Sequence, residues 1–353
     1  MTAAPQPVDL VFEGGGVKGI GLAGALAVLE ERGFAPQNIA GTSAGAITAA
    51  LLAAGYRRDD LREIVMDLDF RQFQDRAWED KVPLIERSLS LLLDLGIYEG
   101  ARFHEWIKER LAAKGVHTFA DLVREGDEDP RWRYDLQVIA SDVTKHELLV
   151  LPRDAAKLGI EPDELEVALA VRMSMSIPIF FEPVRFENPK TGETHVLVDG
   201  GMLSNYPVWL FDNDASEPPE WPTFGMLLVE PKPQIPVGVR LPKAEAIPDG
   251  PRGLLVYVKS LAQTMMEAHD RLYVQTADYA RTIPIPTLGV GTTAFDLSPE
   301  RKLALYDSGR FAAEGFLKDW NFEAYVEAYR SGHAHSRRRA VVAEMTEAGT
   351  TTA

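Results

Sequence analysis

Val8-Asp9-Leu10-Val11-Phe12-Glu13-Gly14-Gly15-Gly16-Val17-Lys18-Gly19 sets an apolar run against a glycine turn, and Ile39-Ala40-Gly41-Thr42-Ser43-Ala44-Gly45 repeats the layout. Each turn opens a segment of small residues with helical spacing. Strand, turn, helix, twice over, predicts a right-handed α/β unit. Val8–Phe12 is apolar almost throughout, as a strand buried on both faces of a parallel sheet must be. The first turn can present backbone N–H groups to an anion, and the second can hold a hydroxyl on a sharp bend. Acyl transfer needs both devices at once.

Working outward, the first helix is expected from about Val17 to Arg32, with Gly33 as its C-terminal glycine. Its lack of side-chain bulk predicts a close approach to the sheet. A short strand, Asn38–Ala40, leads into the serine turn, and Ala44–Ala54 reads as a helix closed by Gly55. Residues from Asp59 to Glu125 look helical, with one greasy stretch from Leu84 to Leu95. Arg133–Ala140 and Leu148–Leu151 read as strands, Pro162–Met173 as a helix, and His195–Val198 as a strand ending at Asp199-Gly200-Gly201. Nine prolines between Ser216 and Pro251 mark loop around one strand, Phe224–Val229. Helical patterns follow at Gly253–Ala280 and Pro299–Asp319. No solenoid repeat is visible.

The chain has 353 residues, 46% of them hydrophobic and 25% charged, which fits a globular protein with a large core. It has no cysteine, which excludes disulfides and cysteine metal sites. A net charge of −16 argues against nucleic-acid binding, which needs local positive charge. Met1–Pro7 lacks the layout of a secretory signal. Gly33–Tyr56 is uncharged, but Pro36, Gln37, Asn38 and the serine turn break it, so no membrane span is expected.

Gly14, Gly16 and Gly19 satisfy G-x-G-x-x-G, which also marks dinucleotide-binding domains. That alternative demands an acidic residue about 20 positions later, yet no Asp or Glu lies between Arg32 and Arg58. Gly41-Thr42-Ser43-Ala44-Gly45 fits the nucleophile-elbow pattern G-x-S-x-G. The Ser43 hydroxyl would sit at a helix N-terminus, where the dipole favours a developing alkoxide. Of the seven histidines, none lies in a glycine-framed setting, and His195 reads as a surface or strand-edge residue. Asp199 ends an apolar strand before two glycines. Its carboxylate would enter the crevice at the carboxyl ends of the strands, the local alternative being a turn aspartate.

Gly14–Gly19, Gly41–Gly45 and Asp199-Gly200-Gly201, in that order, resemble the signatures of patatin-like phospholipases, and the resemblance extends from Val8 to about Leu317. It includes Met173-Ser174-Met175-Ser176-Ile177-Pro178. It implies an α/β fold, a three-layer α/β/α sandwich with a mostly parallel central sheet, and a Ser–Asp dyad that hydrolyses fatty-acyl esters without metal or other cofactor. By position, Ser43 is the nucleophile, Asp199 its base, and Gly14, Gly15 and Gly16 the oxyanion hole. Lys18, Gly19, Gly41, Gly45, Gly200 and Gly201 support the motifs. Lys18 reads as a holder of the loop or a lipid-phosphate contact, with a solvated helix lysine as the alternative. Glu13 stands where many members carry Asp, with little consequence expected.

The expected layout is a single catalytic domain over 1–330, a helical, lid-like insertion at about 75–130, and a flexible tail over 331–353. Phospholipid or lysophospholipid is the expected substrate of a cytoplasmic protein in transient contact with membranes, its regulatory partner unidentified. An acyltransferase or general carboxylesterase using the same dyad is the nearest alternative, and a nucleotide-binding module a more distant one. Arg337-Arg338-Arg339 reads as a solvated charge run, contact with anionic headgroups being the alternative, and Asp127-Glu128-Asp129, without calcium-loop spacing, reads as a surface turn.

Overall fold

β1 (Gln6–Phe12) lies inside the sheet and is buried from Val8 onward. It pairs in parallel with β2 (Phe34–Thr42) on one side and with β9 (Thr223–Val229) on the other. The computed structural model describes residues 5–73, 96–98, 100–124, 126, 129, 131–212, 219–230, 276–292 and 294–330. The Leu84–Leu95 stretch, most of Gly253–Ala280, His333, His335 and Arg337–Arg339 lie outside them.

Among the described residues the main sheet has eight strands, hydrogen-bonded in the order β10–β9–β1–β2–β4–β8–β7, with β5 also paired to β4. The remaining members are β4 (Leu136–Asp142), β5 (Glu147–Leu151), β7 (Val184–Glu187), β8 (Thr194–Asp199) and β10 (Thr282–Pro286). β10–β9–β1–β2–β4 is parallel, and the pairings of β5, β7 and β8 are antiparallel. A separate parallel pair joins β3 (Gly96–Tyr98) to β6 (Ile179–Phe181). The architecture is a mixed, mostly parallel sheet packed with helices, as an α/β sandwich requires.

The register explains how two strand ends meet. Val138 and Ile139 of β4 pair both with Gly41 and Thr42 of β2 and with Leu151 and Val150 of β5, so β2 and β5 flank β4 on opposite sides. Ala140, Ser141 and Asp142 pair with β5 and also with Asp199, Val198 and Leu197 of β8. β8 therefore lies on the β2 side of β4, in line with β2 and running against it. Thr42 stands level with Ile139 and Asp199 with Ala140. The two strands finish head to head.

The first helix begins with a 3-10 turn (Gly16–Gly19) and continues as α1 (Ile20–Glu31), with Gly33 at φ +85 closing it. Its small residues serve the sheet, where a side chain on Gly21 would begin 2.9 Å from Ile285 Cγ2 of β10, and also a helix. A side chain on Gly24 would begin 1.9 Å from the Tyr306 carbonyl oxygen, and one on Gly309 equally close to that of Gly21. Tyr306 and Gly309 lie on a long later helix, Pro299–Asp319, whose bounds match the sequence pattern.

β2 is longer than its apolar core, entering at Phe34 through Pro36. Its register shifts between the partners of Val8 and Leu10. There Asp9 Oδ1 accepts from the Asn38 N–H (3.1 Å), Asn38 Nδ2 (2.7 Å) and Trp221 Nε1 (2.8 Å). Burial nevertheless raises the Asp9 pKa to about 6, against the lowering effect of these bonds.

α2 (Ala44–Ala53) follows the serine turn, and α3 (Arg58–Asp67) and α4 (Ala101–Ala112) are the main helices of the expected helical region. The expected Pro162–Met173 helix is split into a 3-10 turn (Pro162–Glu164) and α5 (Val167–Ser174). Between them the Leu165 carbonyl accepts the Phe119 N–H at 3.0 Å, and the Val167 N–H donates to the His117 carbonyl at 3.0 Å. That tertiary pairing overrides helix propensity. α6 (Thr276–Ala280), α7 (Pro299–Asp319) and α8 (Phe322–Tyr329) complete the described helices. Phe224 of β9 meets Phe34, Phe316 and Trp320 edge-on at 5.3, 5.2 and 5.0 Å, which fastens the end of α7 to the sheet.

Candidate active site

Ser43 stands between the last residue of β2 and the first of α2, at φ 53 and ψ −124. A non-glycine residue in that region is strained, and strain of this kind persists only where its surroundings enforce it. The enforcement is close packing. A side chain on Gly45 would begin 2.3 Å from the Phe12 carbonyl oxygen and 2.6 Å from that of Glu13. One on Gly41 would begin 2.3 Å from the Gly45 carbonyl oxygen. Gly45→Ala is therefore expected to cost about 1–3 kcal/mol, read as a lower urea midpoint at unchanged m-value. Activity should fall further than the loss of folded protein explains.

Asp199 ends β8 opposite Ser43, and both residues are wholly buried. The antiparallel course of β8 revises the sequence argument for its placement. Asp199 meets Ser43 because β8 arrives antiparallel from beyond the C-terminal end of β2, not because it runs with the parallel strands. Its Oδ1 accepts the Gly201 N–H at 2.7 Å. Burial lifts its pKa to about 7, while the Ser43 hydroxyl and the Gly201 amide pull it down. The Ser43 hydroxyl nevertheless faces Met175 Sδ at 3.5 Å, and Asp199 Oδ2 has no partner in conventional hydrogen-bond geometry. The hydroxyl and carboxyl are near enough to influence each other without being locked together.

One short segment grips both residues. The Ser43 N–H donates to Ser174 Oγ at 2.8 Å, and the Asp199 N–H donates to the Ser176 carbonyl at 2.9 Å. Ser176 Oγ in turn accepts from buried Arg172 at 2.5 Å. Sequence alone draws attention to Met173–Pro178 through resemblance, but no local signal gives Ser174 or Ser176 a task.

The glycine loop leans against Ser43, since a side chain on Gly14 would begin 3.0 Å from Ser43 Cβ. The expected trio of donors is narrowed. The Gly14 N–H is taken by the Asn205 carbonyl at 3.1 Å, whereas the Gly15 and Gly16 amides meet no acceptor among the described residues. Gly16 sits at φ +55 with the Thr292 carbonyl oxygen 2.1 Å from where a side chain would begin. Glu13 matters more than its place beside the motif suggests. Its Oε2 accepts the Leu228 N–H at 2.5 Å and its Oε1 accepts Asn205 Nδ2 at 3.1 Å, tying the loop to β9. Lys18 is 9% exposed and packs beside the loop, so the solvated-lysine alternative does not hold.

His195 is buried rather than superficial, with Nδ1 2.6 Å from Asp142 Oδ2. The sequence misreads it because β7 covers the strand edge. Among the described residues no histidine is hydrogen-bonded to Ser43 or Asp199, and no cluster of His, Asp or Glu could hold a metal. Nor is any described helix long and apolar enough to cross a membrane. A cavity of about 340 Å³ lies elsewhere, at the far end of α2, between Tyr56, Ile64 and Trp106. Neither Ser43 nor Asp199 lines it.

Residues 10–212 match the family model described as Patatin-like phospholipase. The chain is 38% identical over 315 residues to the uncharacterized protein YqhO of Bacillus subtilis, covering 89% of this chain and 99% of that one. It is 27% identical over 219 residues to the uncharacterized protein R571 of Acanthamoeba polyphaga mimivirus, covering 60% of this chain and 64% of that one. Among solved structures, VipD from Legionella pneumophila aligns with a TM-score of 0.49 at 18% identity, over 90% of this chain and 67% of that one. ExoU of Pseudomonas aeruginosa, in complex with SpcU, aligns at 0.46 and 18% identity, over 89% of this chain and 53% of that one.

Proposed function

The chain belongs to the patatin-like phospholipase family, and on that footing we propose that it hydrolyses fatty-acyl esters of phospholipids or lysophospholipids through Ser43 and Asp199. The observation that carries this reading is the strained Ser43 elbow facing a carboxyl that burial has made basic. An ordinary aspartate, with a pKa near 3.9, is a poor proton acceptor. One raised to about 7 is matched to a base working near neutrality.

Ser43 Oγ attacks the acyl carbon while Asp199 takes its proton. The Gly15 and Gly16 amides, at the start of the 3-10 turn, receive the oxyanion. Collapse expels the lyso-lipid or glycerol oxygen, which takes the proton back from Asp199, and leaves Ser43 acylated. Water then releases the fatty acid, with Asp199 again the base. Ester cleavage takes place at a membrane surface, with the chain docked there only transiently.

Product analysis with phospholipid, lysophospholipid and short p-nitrophenyl esters tests the substrate class. Cleavage confined to the short esters would overturn the lipid assignment. The pH profile tests the base. Because only the carboxylate accepts a proton, kcat/KM should rise about tenfold per pH unit below about 7 and level off above it. A profile flat from pH 5 to 8 would remove Asp199 from the role.

A further inference from the structure

The orientation of the Asn205 carboxamide is dictated by its neighbours. Its Nδ2 donates to the Gly14 carbonyl at 3.0 Å and to Glu13 Oε1 at 3.1 Å. A carbonyl and a carboxylate only accept, so the nitrogen must face them and Oδ1 must turn the other way. That oxygen is buried and meets no donor among the described residues, and the residue is 7% exposed. Two close approaches locate it. The point at which a Gly14 side chain would begin is 2.2 Å from Asn205 Oδ1 and 3.0 Å from Ser43 Cβ. The corresponding point on Gly201 is 2.8 Å from Asn205 Oδ1 and 3.0 Å from Asp199 Oδ1. Asn205 Oδ1 thus stands beside both Ser43 and Asp199.

Asp199 Oδ2 is likewise buried without a conventional donor. Once Ser43 is acylated its hydroxyl can no longer serve Asp199, and two acceptors buried on either side of that serine are costly to leave bare unless a donor reaches them. Water is the smallest molecule with two O–H donors, and buried waters are held by two to four polar groups.

We propose that Asn205 Oδ1 and Asp199 Oδ2 together hold the water that releases the acyl group from Ser43, making Asn205 the water-positioning residue. The proposal deepens the Ser43–Asp199 reading and rests on it. With Ser43 acylated, Asp199 takes one proton of the water as its oxygen bonds to the acyl carbon. The second O–H stays donated to Asn205 and aims the oxygen's lone pair. Collapse breaks the bond from the acyl carbon to Ser43 Oγ, Asp199 returns the proton to that oxygen, and the free fatty acid leaves.

Asn205→Ala tests this, compared with the wild-type chain on p-nitrophenyl butyrate by stopped flow and intact mass. Slowed deacylation should lower kcat by about 10–100-fold, with a smaller fall in kcat/KM, a new burst of p-nitrophenol and a butyryl adduct on Ser43. If Asn205 merely anchors the glycine loop, kcat and kcat/KM fall together and no adduct accumulates, which overturns the proposal. The dyad reading is tested separately by fluorophosphonate labelling of the wild-type chain. Loss of labelling there removes both readings, whereas labelling without adduct build-up in the variant removes only this one. Should the variant not fold, a wild-type crystal structure decides. A water bonded to both oxygens is expected, and a protein donor on Asn205 Oδ1 in its place refutes the assignment.

Discussion

Ser43→Ala is expected to eliminate covalent labelling by a fluorophosphonate and to reduce lipid ester hydrolysis by roughly 10⁴–10⁶-fold, as loss of the nucleophile does in serine hydrolases. Intact mass reads the first effect and product assays the second. The substitution removes an oxygen that meets Met175 Sδ at 3.5 Å and eases the ionisation of Asp199. The backbone N–H that donates to Ser174 is untouched, so the folded structure should survive. Ser43→Gly makes an informative companion. At φ 53 and ψ −124 glycine is free of the strain that serine and alanine both carry, so it should be the more stable variant by about 1 kcal/mol and equally inactive. Labelling that persists at another residue in Ser43→Ala would place the nucleophile elsewhere.

Asp199→Asn should lose activity by about 10³–10⁴-fold while gaining stability at neutral and alkaline pH. The folded-state pKa of about 7 lies above the ordinary carboxylate value, so folding favours the protonated form. Well below pH 4 the carboxyl is neutral whether folded or not, and the wild-type chain suffers no penalty. As pH rises from 4 to 7 the unfolded chain ionises freely and the folded chain does not, so wild-type stability is progressively lost. Above 7 the deficit is constant, on the order of a few kcal/mol. Asparagine carries no such burden. Chemical denaturation of both chains at pH 4 and pH 8 should show nearly equal stability at the first and a more stable variant at the second. A variant less stable at both would mean that the carboxylate is better accommodated than its burial implies.

Local patterns disclose what is built locally. Gly41 to Gly45 states its own requirement within five residues, because the bend and the glycines that permit it are neighbours in the chain. The unbroken apolar run of β1 likewise reveals a strand with no solvent face, and with it the α/β class. Partners brought together from afar leave no such trace. Ser174 meets the Ser43 amide across 131 positions, and Asn205 meets Gly14 across 191. The glycines of α1 show the same limit. Their smallness is legible, but that it admits another helix as well as the sheet depends on α7. Asp199 can be singled out as the end of an apolar strand, yet the direction of that strand follows only from its pairing with β4.

The full burial of Ser43 and Asp199 carries a kinetic meaning. A soluble ester meeting this form of the molecule finds a shut door, and so does any inhibitor. On the proposed mechanism, turnover awaits a movement that exposes the Ser43 oxygen, and the frequency of that movement is an upper bound on both catalysis and inactivation. A bilayer that favours the open form would then quicken the reaction without altering a single reacting group.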